Sequence, residues 1–178
     1  MITILEVKQG TPQWHKERQD IVTGSIADDL LVHGLDHALK ANYSQFKGNY
    51  YTERGLILEK QAIEIYEALH DVKVEIVGMV KNSFYPNAGC SPDGIDRSIE
   101  CLIEVKCFGK RHSEIRNITS IPFKIMSQLQ FNMMISELPV ARLVLYNPDL
   151  EDADEAYREI EVMANKRIQA NMARKLQS

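Results

Sequence analysis

Long apolar runs are missing from this chain. None approaches the roughly 18 consecutive residues that a membrane span requires, which excludes a helical membrane protein. Cysteine is scarce. The three residues, Cys90, Cys101 and Cys107, are odd in number and do not suggest a disulfide framework. Their spacings also miss the usual zinc pairs. They read as buried filler, and a reducing cytoplasm is the expected home. The first eight residues, Met1 to Lys8, lack a basic segment and an apolar core of the secretory type, which points away from export. No Gly-x-x-x-x-Gly-Lys loop occurs, so nucleotide-driven motor chemistry is not expected. The histidines form no zinc pattern. His33 and His37 are spaced i, i+4, but the Glu of a His-Glu-x-x-His helix is absent. A basic surplus is missing as well, with 21 Lys+Arg against 25 Asp+Glu and a formal net charge of −4. That balance argues against a passive nucleic-acid binder. It argues less against an enzyme whose carboxylates offset bound metal charge.

What is present is an ordinary globular composition, 44% hydrophobic and 26% charged, in 178 residues, enough for one domain with a real core. No repeat, low-complexity tract or linker interrupts it, so residues 1–178 are read as a single domain. Ile2 to Val7 reads as a short strand. Thr11-Pro12 starts a helix, with Thr as N-cap and Pro at the first helical position. Ser25 reads as the cap of a second helix, Ile26 to Val32. Residues 33–52 read as partly helical loop. Arg54 to Leu69 is the clearest helix, with Ile63, Tyr66 and Leu69 as its apolar stripe. Val72 to Val80 reads as a strand. Gly89 to Ile95 and Ile99 to Cys107 read as a hairpin around Asp96-Arg97-Ser98. Pro122 to Ile135 is a helix. Val140 to Tyr146 is a central strand, apolar on both faces. Tyr157 to Val162 is an edge strand, and Met163 to Leu176 a closing helix. This order gives an α/β fold: a mixed central sheet flanked by helices.

The chemistry concentrates in Cys90-Ser91-Pro92-Asp93-Gly94 and Leu102-Ile103-Glu104-Val105-Lys106. Strand side chains alternate faces, so Glu104 and Lys106 point the same way and Val105 the other. If the Pro-Gly turn folds back, Asp93 joins them. Ser-Pro-Asp-Gly is also a generic turn formula, and Glu-x-Lys can be a same-face ion pair. The conjunction weighs more: a carboxylate on so apolar a strand needs compensation, which a hard divalent cation supplies. Phosphodiester hydrolysis is common chemistry for such a site. Two basic runs, Lys106, Lys110, Arg111, His112 and Arg116, then Lys166, Arg167, Arg174 and Lys175, read alone as solvated faces. Trp14, the lone tryptophan, reads as a packing residue rather than a base-stacking platform. Met126, Met133 and Met134 read as core filler.

These motifs resemble the YqaJ / lambda-exonuclease group of phage recombination nucleases, within the PD-(D/E)xK superfamily. The resemblance rests on the Ser-Pro-Asp-Gly turn, Glu104-Val105-Lys106 and Gln128-Leu129-Gln130. It extends upstream through Trp14-His15-Lys16-Glu17-Arg18, Val22-Thr23-Gly24-Ser25, and Arg54-Gly55-Leu56-Ile57-Leu58-Glu59. It runs in the family's order from about Trp14 to Gln130.

The resemblance implies a restriction-endonuclease-like core and a metal-dependent 5′→3′ exonuclease acting on linear duplex DNA ends, leaving 3′ single-stranded tails. Asp93 and Glu104, with the Val105 carbonyl, would hold Mg²⁺, with Mn²⁺ as substitute. Lys106 would orient the attacking water. Glu59 would support the metal cluster. Gln128 would fix water or a ligand, and Gln130, about 200° round the helix, would face elsewhere. Arg18 and Ser25 resemble the family's pocket for a 5′-phosphate. Partners implied are duplex DNA ends, a trimeric ring of like subunits and a single-strand annealing protein, in the cytoplasm of a bacterial host and phage or prophage encoded. The alternatives are another PD-(D/E)xK nuclease, either an endonuclease of structure-selective or restriction type or a RecB-like module, and a non-catalytic DNA-end-binding module.

Overall fold

The computed structural model describes residues 1–42 and 50–177. Its strands are β1 (Ile2–Leu5), β2 (Met79–Asn82), β3 (Gly89–Cys90), β4 (Gly94–Asp96), β5 (Cys101–Lys106), β6 (Val140–Tyr146) and β7 (Tyr157–Met163). Its α-helices are α1 (Pro12–Arg18), α2 (Ala27–His33), α3 (Leu35–Asn42), α4 (Tyr50–His70), α5 (Phe123–Ser136), α6 (Ala153–Ala156) and α7 (Lys166–Leu176). The first three strands form an antiparallel sheet in the order β1-β2-β3. The other four form a mixed sheet, β4-β5-β6-β7, in which only β5 and β6 run parallel. No helix among the described residues is long and apolar enough to cross a membrane.

The mixed sheet is covered on both faces, and strand alternation decides what each face meets. Leu102, Leu143 and Leu145 pack with Leu129, Phe131 and Ile135 of α5 and with Met172 and Leu176 of α7. Ile103, Val105 and Val144 turn the other way, onto Ala62, Ile63 and Tyr66 of α4. Helix α5 is buried over most of its circumference, which explains why its apolar residues, Met133 and Met134 included, occur on several sides. Glu137 ends it in the left-handed conformation, φ 57°, returning its N–H to the Met133 carbonyl.

Several sequence expectations are revised. Val72 to Val80 is not one strand. Val74 and Val77 are buried while Ile76 is exposed, so the alternation changes phase. Glu75 makes only an isolated bridge to Ile95, and continuous pairing resumes at Met79 against Leu5. Gly89 to Ile95 is broken by Ser91-Pro92-Asp93, so β3 and β4 belong to different sheets. The hairpin turn is Arg97–Glu100, not Asp96-Arg97-Ser98. Asp96 stays paired with Cys101, and its Oδ1 accepts from the Ser98 N–H and hydroxyl at 2.9 and 2.6 Å. In α4, Leu69 is exposed rather than part of the apolar stripe. Helix α7 begins after Met163, where Asn165 accepts from Arg167 and Ile168 N–H groups, both at 3.1 Å. Of the expected loop 33–52, Leu35–Asn42 is helix, α4 begins at Tyr50, and residues 43–49 lie outside the described residues. The short α6 had no sequence signal strong enough to be assigned.

Just before β2 the chain passes so close to Val7 that a methyl group on Gly78 would overlap the Val7 carbonyl oxygen. Backbone cannot yield there as a side chain can. Gly78→Ala is expected to destabilise the fold by about 3 kcal/mol, the upper range for an overpacked site. Denaturant unfolding checks this, and a wild-type midpoint would contradict it.

Candidate active site

The break between β3 and β4 aims Asp93 at β5. Pairing of the β4–β5 ladder reaches Gly94 opposite Ile103. One residue beyond, the Asp93 N–H still donates to the Ile103 carbonyl at 3.2 Å. Its side chain then replaces the missing strand: Asp93 Oδ2 accepts the Val105 N–H at 2.7 Å. Within a strand a residue's N–H and C=O face the same edge. The Val105 carbonyl therefore faces the edge where Asp93 sits.

Glu104, 2% exposed, is held from three sides. Its Oε1 accepts from Lys106 Nζ at 2.7 Å and from the Gln128 amide. Its Oε2 accepts from Asn132 Nδ2 at 3.2 Å. Gln128 and Asn132 are one turn apart on α5, so they present to the same face. Gln130 does not reach this cluster. Its amide N–H donates to the Met163 carbonyl at 2.9 Å, and its oxygen accepts from the Asn165 N–H at 2.7 Å, joining α5 to the start of α7.

Burial, then Glu104 and Glu59, push the Asp93 carboxyl well above the usual aspartate range. Burial and Glu104 raise Glu59 on α4 as well. For Lys106, burial acts to lower the pKa, but Glu104, Asp93 and Glu59 together outweigh it and hold the ammonium above its ordinary value. Three carboxyls and one ammonium thus share a poorly hydrated pocket with a surplus of acid. A hard cation relieves that surplus, and the oxygen donors of Asp93, Glu104 and Val105 fit one. Among the described residues only Asp29, His33 and His37 bring three metal-ligating atoms all within 4.8 Å of one another.

A second polar corner adjoins the first. Thr11 caps α1 by accepting the Trp14 N–H at 3.3 Å. One turn further along, Arg18 Nη2 donates to Thr23 Oγ1 and Ser25 Oγ, each at 3.3 Å. The two hydroxyls are 3.0 Å apart. The Arg18 guanidinium lies 4.2 Å from the Trp14 ring centre, a cation–π contact. Burial pulls Arg18 down to about 10, with Cys90 and Glu104 acting in the other direction, so it remains a cation at neutral pH. The Trp14 indole N–H donates to the Gly78 carbonyl at 3.1 Å and to Ser91 Oγ at 3.0 Å, two residues before Asp93. Ser25 is not the cap of α2. It lies in a 3-10 turn, Gly24–Ile26, and the helix starts at Ala27 without a side-chain cap.

Asn132, Gly24 and the Trp14–Arg18 stack were missed in the sequence. Asn132 could have been found as the i+4 partner of Gln128. A methyl group on Gly24 would overlap Asn132 Oδ1, so this glycine lets the Thr23–Ser25 turn lie against α5. Of the first basic run, Arg116 pairs with Glu155 at 2.6 Å and His112 is buried against the Glu155 carbonyl. The Lys110 and Arg111 side chains lie outside the described residues. Cys90, Cys101 and Cys107 are free.

A carboxyl whose pKa rises on folding binds its proton more tightly in the native state. Stability is therefore full at low pH and falls as pH climbs from the ordinary carboxylate value toward the folded one. Asn at position 93 keeps an acceptor for the Val105 N–H without the charge. Without divalent cations, Asp93→Asn is expected to melt above wild type at neutral pH, the two converging below the ordinary aspartate value of 3.8. A lower melting temperature for the variant at neutral pH would contradict this electrostatic picture.

No curated protein sequence matches the chain. Among solved structures it is similar to the alkaline exonuclease LHK-Exo from Laribacter hongkongensis, at 24% identity over 94% of this chain and 89% of that one, TM-score 0.79. The same protein in complex with dAMP aligns at 23% identity over 93% and 89% of the two chains, TM-score 0.77. A phage-related exonuclease from Haemophilus somnus 129PT aligns at 15% identity over 92% and 93%, TM-score 0.66. These likenesses establish a common fold, a mixed α/β architecture with its sheet between helices. The model of the YqaJ-like viral recombinase domain matches residues 13–139, which span both polar corners, and the chain belongs to that family.

Proposed function

We propose that this chain, as a single domain over residues 1–178, is a metal-dependent 5′→3′ exonuclease. It digests linear duplex DNA from its ends and leaves 3′ single-stranded tails for phage-type recombination. The observation that carries this reading is the Asp93 carboxylate on the Val105 N–H, beside a Glu104 whose oxygens meet Lys106, Gln128 and Asn132.

Asp93, Glu104 and the Val105 carbonyl would hold Mg²⁺, or Mn²⁺ in its place. When bound, the cation supplies Lewis-acid polarisation of the scissile phosphate and a more acidic water. Lys106 orients the attacking water and favours hydroxide. Gln128 fixes that water or a ligand while keeping Glu104 in place. Glu59 supports the cluster from α4. Arg18 and the Ser25 hydroxyl receive a terminal 5′-phosphate, since a guanidinium grips phosphate oxygens with parallel hydrogen bonds. That grip sets polarity. A subunit of this size could hardly enclose a duplex, so processive digestion calls for a ring of like subunits, read as a trimer. A single-strand annealing protein in the host cytoplasm takes up the product.

Glu104→Gln and Lys106→Ala are expected to slow digestion of 5′-labelled linear duplex by at least about a hundredfold while circular dichroism stays that of wild type. Supercoiled circles should persist with every variant. Near-normal rates in either variant would remove that residue from the mechanism, and cleavage of the circle would indicate an endonuclease.

Removing the DNA 5′-phosphate should slow initiation by wild type by about tenfold or more, the scale of a lost charge-assisted contact. Arg18→Ala should make the two ends equivalent. If the variant still discriminates normally, the phosphate is held elsewhere.

A further inference from the structure

We propose that Asp29, His33 and His37 form a binding site for a transition-metal cation of the Zn²⁺ class, separate from the carboxylate cluster. Asp29 and His33 are one turn apart on α2 and share a face. Gly34 then ends the helix at φ 89°, its N–H returning to the Leu30 carbonyl at 3.1 Å. This left-handed corner suits glycine and starts α3 at once. His37, in the first turn of α3, therefore comes back beside His33. The two imidazole rings have centroids 4.3 Å apart at 42°, and His37 Nδ1 is 3.8 Å from Asp29 Oδ1.

One ligand atom from each residue lies within 4.8 Å of the others. A tetrahedral Zn²⁺ with bonds of about 2.0–2.1 Å holds its ligand atoms roughly 3.3 Å apart. The gap is one of side-chain rotation. His37 is 54% exposed and Asp29 31%, so each is free to turn. The backbone beneath them is anchored: Ala27 and Leu30 of α2 and Ala38 of α3 are fully buried. Rigid elements carrying adjustable ligands are what a preformed metal site needs.

The donor set selects the ion. Two imidazoles and one carboxylate suit Zn²⁺, Co²⁺, Ni²⁺ or Cu²⁺, whereas Mg²⁺ and Ca²⁺ prefer all-oxygen sites such as Asp93 and Glu104. Three protein ligands leave a fourth position for water. A surface ion pair between Asp29 and His37 is worth little, and it gives no reason for the His33 ring to lie against His37. The sequence held the pattern Asp-x-x-x-His-x-x-x-His. Its third ligand sits one turn before the histidines, not between them as in a His-Glu-x-x-His helix. In the fold, a bound ion would tie α2 to α3.

The test is a Co²⁺ titration of the whole protein followed by visible absorbance, with excess Mg²⁺ to fill the carboxylate cluster. Wild type and Asp93→Asn should each bind one equivalent with the visible bands of nitrogen-ligated Co²⁺. His33→Ala/His37→Ala should lose that equivalent, and Asp29→Asn should bind it about tenfold or more weakly, by analogy with losses at metal-supporting residues. Zn²⁺ should raise the melting temperature of wild type and not of the double variant, and Mg²⁺-dependent DNA digestion should be the same in both. The proposal is overturned if wild type binds no Co²⁺ under excess Mg²⁺, or if the double variant keeps the bands, or if they vanish in Asp93→Asn. It stands independently of whether the chain cuts DNA.

Discussion

The hydrogen bond from the Val105 N–H to Asp93 Oδ2 is the contact on which the site depends. The β4–β5 pairing stops at Gly94 opposite Ile103, two residues short of Val105, and the aspartate side chain takes the place of further strand. A backbone donor at the edge of a buried strand must be satisfied. Satisfying it with a carboxylate brings negative charge to the edge that the Val105 carbonyl also faces. The neighbouring Glu104 occupies the sheet face covered by α5, with Lys106 beside it on the same face. A break in sheet pairing is thereby converted into a cluster of oxygen donors.

The surroundings hold that cluster against its own repulsion. Glu104 takes hydrogen bonds from Lys106, Gln128 and Asn132, which is what a buried carboxylate requires. Asp93 and Glu59 are left with raised proton affinity because they are buried and, next, because only one ammonium answers three acids. The strain is electrostatic, and it is located where a cation would be bound. The corner containing Arg18 is attached to the same framework twice. Trp14 reaches Ser91 beside the Asp93 turn, and Gly24 lies against Asn132. The Thr23–Ser25 turn therefore lies directly against the helix that positions Glu104.

Much of this was legible in the sequence because the main signals are local. Glu104-Val105-Lys106 lies in a strand, so two-residue alternation alone puts Glu and Lys together. Val140–Tyr146 and Phe123–Ser136 are rich in apolar residues, and length separates strand from helix. The 200° between Gln128 and Gln130 implied that only one could meet the cluster. The features that were not legible depend on pairs far apart in the chain. Nothing near Ile76 announces that the alternation changes phase there, and so the strand read from Val72 was too long. Ser25 has the composition of a cap. Its hydroxyl goes instead to Arg18 and Thr23, and α2 begins one residue later than the pattern suggests. Asn132 looks like any polar residue in a helix until Glu104 is placed opposite it.

The central claim is that Asp93, Glu104 and the Val105 carbonyl share one cation. Anomalous diffraction from crystals of the protein soaked in Mn²⁺ tests it most directly. The account predicts a peak within coordination distance of one oxygen from each of the three. Crystals that take up Mn²⁺ without a peak there, or that show Asp93 turned away from the edge of Val105, would contradict it.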